Sequence, residues 1–138
     1  MTGSEGSDPQ VQAIGSDADV VRVRQLVRTA AVAAKLSLVD QTKVVTAASE
    51  LARNTLVYGG GGEAVVSTVD NGVRRGVRVV LSDSGPGIAD LDLALTDGYT
   101  SGGGLGLGLS GARRLVDEFE LDTAVGSGTT VAVVKWAR

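Results

Sequence analysis

The chain has no cysteine and no histidine among its 138 residues. The first absence rules out disulfides and thiolate metal sites; the second removes the usual neutral-pH base and the commonest metal ligand. Any proton transfer must therefore fall to a carboxylate, a lysine or a tyrosine. Aromatic residues make up only 3%, too few for a platform on which nucleobases could stack, and a net charge of -3 leaves no electrostatic footprint for nucleic acid or an anionic membrane. No apolar run approaches the ~20 residues that a membrane-spanning helix requires. The first ten residues, MTGSEGSDPQ, have neither a basic start nor an apolar stretch, so no export signal is read there and the expected location is the cytoplasm.

What is present is a hydrophobic content of 43%, and a domain of this length buries roughly 68–70% of its unfolded surface on folding. One core is affordable without staples. Residues 1–9, rich in Gly, Ser and acid, read as a disordered tail, and 10–138 as a single domain. Glycine occurs 20 times, about twice its ordinary usage of ~7%, and much of it is clustered.

The apolar pattern predicts the elements. A short strand fits 11–14. Ser16 followed by Asp19 resembles a capping box, after which Val20, Val23, Val27, Ala30 and Ala34 mark one face of a helix. A second helix is predicted from Ser37, with Asp40 at its third helical position, to Tyr58, where Gly59–Gly62 end it. Its inward face is Val44, Ala48, Leu51 and Thr55. Residues 63–70 and 77–83 are rich in β-branched side chains and read as an antiparallel hairpin with a longish loop. A polar, glycine-rich stretch follows, with at most one helical turn near 91–95. Leu105, Leu109, Ala112, Val116 and Phe119 then predict a third long helix beginning inside a glycine run, and strands at 121–125 and 129–136 close the chain. This order lacks regular βαβ alternation. It implies an α/β two-layer sandwich whose mixed, mostly antiparallel sheet is covered on one face by helices.

Three places could carry chemistry. Glu50 and Asn54 are spaced i, i+4 on the second helix, hence one turn apart on one face. A carboxylate beside an amide oxygen can serve as base and Mg²⁺ ligand, or be a solvated surface pair. The Asp83-Ser84-Gly85-Pro86-Gly87 segment leaves a strand directly. Its acid can accept from an exocyclic amine such as adenine N6 while its glycines let backbone approach a flat ring; an ordinary turn uses the same residues. Gly102, Gly103, Gly104, Leu105, Gly106, Leu107 and Gly108 run into a patterned helix, a combination that favours phosphate on exposed backbone amides over a flexible linker. The formal GxGxxG match at 106–111 follows no strand and opens no βαβ unit, and GxxxxGK[ST] is missing from the chain, so neither a dinucleotide fold nor a P-loop is read here.

In order, ELARN (50–54), DSGPGI (83–88), GGGLGLGL (102–109) and GSGTT (126–130) resemble the Bergerat ATP-binding fold of gyrase, heat-shock chaperones, histidine kinases and MutL, the GHKL superfamily. Within it, VDQTKVVTAASELARN, DGYTSGGGLGLGL, RRLVDEF and the closing VKWAR are similar to the RsbT-type serine/threonine switch kinases, the anti-sigma regulatory family of the bacterial stressosome. With no histidine, a self-phosphorylating histidine kinase is excluded.

The resemblance implies that Asn54 binds Mg²⁺, Asp83 reads the adenine amine, and Gly85 and Gly87 shape the adenine pocket. It implies that Gly102–Gly108, chiefly Gly104, Gly106 and Gly108, face the phosphates of ATP, that Thr129 or Thr130 supports adenine, and that Glu50 is the general base for a substrate hydroxyl. STAS-domain antagonist and scaffold proteins are the implied substrates, and a PPM-type phosphatase upstream of an alternative sigma factor is the implied partner. One departure stands out. The segment from Gly87 to Gly102 carries Asp90, Asp92 and Asp97 but no lysine or arginine for the γ-phosphate; the next arginines are Arg113 and Arg114. Two rival readings keep the fold: an anti-sigma factor acting by sequestration, and a non-catalytic interaction module.

Overall fold

The computed structural model describes residues 9–87 and 108–138. Eight elements occur there: β1 (Gln10–Ile14), α1 (Asp17–Ala33), α2 (Leu38–Val57), β2 (Gly62–Asp70), β3 (Arg75–Asp83), α3 (Gly108–Arg114), β4 (Glu118–Ala124) and β5 (Gly128–Trp136). The strands form one sheet in the order β1-β2-β3-β5-β4, and every pairing is antiparallel. Alternation puts Ala64, Val66, Val77, Val79, Leu81, Val131 and Val133 on the buried face, where α1 and α2 lie across them. The expected two-layer arrangement is what the chain adopts.

Both long helices begin as their sequences dictate. Ser16 Oγ accepts the Asp19 amide at 3.3 Å and Ser37 Oγ accepts the Asp40 amide at 3.1 Å, each satisfying a donor that the helix itself leaves open. Val20, Val23, Val27 and Ala31 are the buried stripe of α1. On α2 the predicted face is buried throughout, with Val44, Ala48, Leu51 and Thr55 at 5% exposure or less. Glycines stop α2: Gly60 and Gly61 have φ of 74° and 108°, and the Gly61 amide reaches back to the Thr55 carbonyl at 3.0 Å.

Three sequence expectations change. β2 ends at Asp70 as predicted, but β3 begins at Arg75 rather than 77 and pairs it with Asp70, leaving only residues 71–74 as the turn. There Asn71 Oδ1 accepts both the Val73 and Arg74 amides, and Gly76 lies within the strand beneath the Trp136 indole. α3 stops at Arg114, so Val116 and Phe119 are not on it. Phe119 belongs to β4, which starts at Glu118 rather than 121; the helical spacing misleads because Phe119 packs against the same core from a strand. The expected turn at 91–95, most of the expected tail, and the start of the third helix lie outside the described residues.

At the end of the sheet away from Asp83, Lys135 of β5 is 4% exposed. Its ammonium sits 3.7 Å from Asp40 and 3.5 Å from Asp117, and Arg138 pairs with both acids from outside. Burial pushes the Asp117 carboxyl up, but the Trp136 amide and the Lys135 and Arg138 charges outweigh it and hold it below the usual carboxylate range. Along the outer strand β4, Glu118, Glu120 and Asp122 alternate as exposed residues.

Two outcomes follow for stability. Leu51→Ala, which empties a fully buried site, should lower the unfolding free energy by ~2–5 kcal/mol in a urea titration with an unchanged slope. Because the folded Asp117 holds its proton less tightly than the unfolded one, its contribution is present above the ordinary carboxylate range and fades as pH falls through the lowered folded value. Asp117→Asn should therefore cost stability at neutral pH, and its difference from wild type should shrink progressively in melts taken at increasingly acid pH.

Candidate functional site

The C-terminal half of α2 presents Glu50 and Asn54 one turn apart. Glu50 is 3% exposed, yet its carboxylate makes no hydrogen bond or ion pair with any described residue. A buried acid one turn from Asn54, joined to no described residue, is a candidate general base. Asn54 is half-buried, and its main-chain carbonyl accepts from the Tyr58 and Gly59 amides at 2.9 and 3.3 Å. The last turn of α2 has no basic residue, so the negative end of its dipole is uncompensated by side chains of its own helix.

Asp83 closes β3. Its Oδ1 accepts the Gly85 amide at 2.8 Å, which fixes the first step of the DSGPG segment as a side-chain-closed turn. Glycines from three separate segments crowd this one residue. A methyl group on Gly59 would fall 2.5 Å from Asp83 Cβ and 2.6 Å from Oδ2. One on Gly85 would meet Gly59 Cα at 2.8 Å and Asp83 Oδ1 at 3.1 Å, and one on Gly128 would meet the Asp83 carbonyl carbon at 2.9 Å. Only hydrogen fits these places. Gly87, with φ 77°, backs onto Ala124 and Val125 of the β4–β5 turn, and the Gly126 amide donates to the Pro86 carbonyl at 2.8 Å.

Sheet register separates the two candidate threonines. Thr129 pairs with Asp83 and shares its helix-covered face, whereas Thr130 pairs with Ser82 on the opposite face. Thr129 Oγ1 lies 2.9 Å from Thr123 Oγ1, which also reaches the Gly128 carbonyl at 3.1 Å. Gly108, with φ 59°, opens α3, and α3 packs against α2. Arg113 and Arg114 are exposed in the last turn of α3. Gly102, Gly103, Gly104, Leu105 and Gly106 lie outside the described residues, as do Asp90, Asp92 and Asp97.

The structure thus brings Asp83, Gly85, Gly128 and Thr129 together at one strand end and links them through Gly59 to the turn that carries Asn54. Sequence reasoning missed Gly59 and Thr123. The run of four glycines held a usable signal, since one or two suffice to stop a helix.

Residues 39–137 match the family of histidine kinase-, DNA gyrase B- and HSP90-like ATPases. Serine/threonine-protein kinase RsbT of Bacillus subtilis is 39% identical over 132 residues, spanning 96% of this chain and 99% of that protein. Anti-sigma F factor of Clostridium novyi is 30% identical over 115 residues, 76% of this chain and 80% of that protein. The crystal structure of the RsbU and RsbW domains of a Mycobacterium tuberculosis protein superposes with a TM-score of 0.66 at 20% identity. It covers 96% of this chain, which spans 33% of that longer one, and it speaks to the fold alone. With nearly full-length likeness on one side and a fold match on the other, the chain belongs to the histidine kinase-, DNA gyrase B- and HSP90-like ATPase family and, within it, to the RsbT serine/threonine-protein kinases.

Proposed function

We propose that residues 10–138 act as one cytoplasmic ATP- and Mg²⁺-dependent kinase domain that transfers phosphate to serine or threonine of a partner protein and thereby switches sigma-factor regulation. The observation that carries this reading is the setting of two acids on neighbouring elements. Asp83 is a carboxylate enclosed by glycines at a strand end, and Glu50, one turn from Asn54, is a buried carboxylate with no partner among the described residues.

Asp83 accepts from the adenine amine, its carboxylate packed directly against the bare backbone of Gly59 and Gly85. Thr129, on the same face, is the better placed of the two threonines to support the base. Asn54 is the ligand for Mg²⁺: a hard amide oxygen near the negative end of α2 fits a hard cation, and no cluster of three acids among the described residues offers an all-protein cage. Held by Asn54 and the nucleotide, such an ion supplies neutralisation of phosphate charge. Glu50 takes the proton from the attacking hydroxyl. Gly102–Gly108 present backbone amides to the phosphates. In phosphoryl transfer the protein chiefly positions the reactants and offsets charge, so this set is chemically sufficient. Resemblance to the switch kinases supports STAS-domain proteins as substrates and a PPM-type phosphatase as the protein activated.

The 30% identity to an anti-sigma factor favours one alternative, a nucleotide-binding module that acts by holding a sigma factor. Two measurements separate the readings. With γ-labelled ATP and purified STAS proteins, Glu50→Gln and Asn54→Ala should each lower phosphate transfer by ~100-fold or more. Transfer that survives both substitutions undiminished would disprove the site assignment, and a tightly held sigma factor with no labelled STAS protein would favour the alternative. In calorimetry with ADP and Mg²⁺, Asp83→Asn should weaken binding by ~1–3 kcal/mol, because its amide presents a donor to a donor.

A further inference from the structure

Gly59 follows the C-cap of α2 and has no role in the helix beyond its amide, which points back at the Asn54 carbonyl at 3.3 Å. Its φ is not among the left-handed values of the neighbouring Gly60 and Gly61, so backbone conformation does not demand glycine at 59. What demands it is the Asp83 side chain, whose Cβ and Oδ2 stand 2.5 and 2.6 Å from the place a methyl group would occupy. On its other side the same carboxylate is held by the Gly85 amide through Oδ1 at 2.8 Å. Gly85 in turn abuts Gly59, since a methyl on Gly85 would meet the Gly59 carbonyl oxygen at 3.0 Å.

We propose that Gly59 is a positioning residue for nucleobase recognition: its bare Cα is the wall against which the Asp83 carboxylate is set. It ties the orientation of that carboxylate to the last turn of α2, where Asn54 sits. The inference rests on Asp83 being the adenine reader. Adding a methyl at 59 pushes the Asp83 side chain, Cβ and carboxylate alike, away from Gly59 and strains the bond from the Gly85 amide to Oδ1, and the acceptor directed at the base is lost. A methyl on the neighbouring Gly60 would meet nothing within 4 Å, so substitution there strains the turn without touching Asp83. That contrast distinguishes a role in recognition from a role in ending the helix.

The test is a double-mutant cycle on the full chain, with dissociation constants for ADP and GDP in the presence of Mg²⁺ measured by calorimetry and the fold of each variant checked by thermal melting. Gly59→Ala should weaken ADP binding by about tenfold or more while changing GDP binding little, so that the preference for adenine collapses. In an Asp83→Gly background, where no side-chain atom remains for the added methyl to displace, Gly59→Ala should cost less than about twofold, a coupling that a purely structural glycine does not produce. ADP affinity of Gly59→Ala within about twofold of wild type overturns the proposal, as does an equal loss in the two backgrounds. If wild type binds no ADP, or Asp83→Gly binds it as well as wild type, the adenine-reader assignment itself falls, and this inference with it.

Discussion

Burial of one face of α2 on the middle of the sheet is the constraint on which the other features depend. The stripe Val44, Ala48, Leu51 and Thr55 is sealed against β3 and its neighbours, so the helix can neither rotate nor slide without exposing it. A helix of 20 residues spans ~30 Å. Fixing its middle therefore fixes both ends at once. Asp40 is delivered to Lys135 at one end, and the glycine turn that follows Asn54 is delivered to Asp83 at the other. The ion cluster and the proposed nucleotide site share no residue, yet they are registered to each other through one rigid rod.

The two ends differ in what they ask of the chain. Around Lys135 the charges are satisfied by one another: the ammonium has two carboxylates, and Arg138 adds a second cation. A buried pair of this kind gains little net energy after desolvation but is costly to break, so it specifies where α2, β5 and the start of β4 meet. Around Asp83 the space is kept by missing side chains, and at Glu50 a carboxylate has no partner among the described residues. Open polar capacity at one end and full satisfaction at the other is the division expected between a working site and a structural joint.

Much of this is legible in the sequence because the signals are local. Ser16 with Asp19 and Ser37 with Asp40 announce the helix starts within one turn, and the stripe of α2 appears in its apolar spacing. The ATP-binding family is legible from four short blocks in order. Contacts that join distant segments are not. Gly59 reads as a helix terminator because its partner, Asp83, enters from β3, and the difference between Thr129 and Thr130 emerges only from the register of β3 with β5. Spacing puts Phe119 on a helix because periodicity reports which residues face the core, whichever element carries them there.

The acids along β4 bear on how the protein behaves at high concentration. An outer strand offers a row of unpaired amides and carbonyls to any other chain that arrives extended. On β4, Glu118, Glu120 and Asp122 place carboxylates at three of the four alternate exposed positions of that seven-residue strand, all toward the same side. A second copy approaching edge to edge would bring two such rows together, and the repulsion would grow with each added pair. The negative charge of this strand is a barrier to uncontrolled sheet growth, built into the margin of the fold and independent of the nucleotide chemistry at its far end.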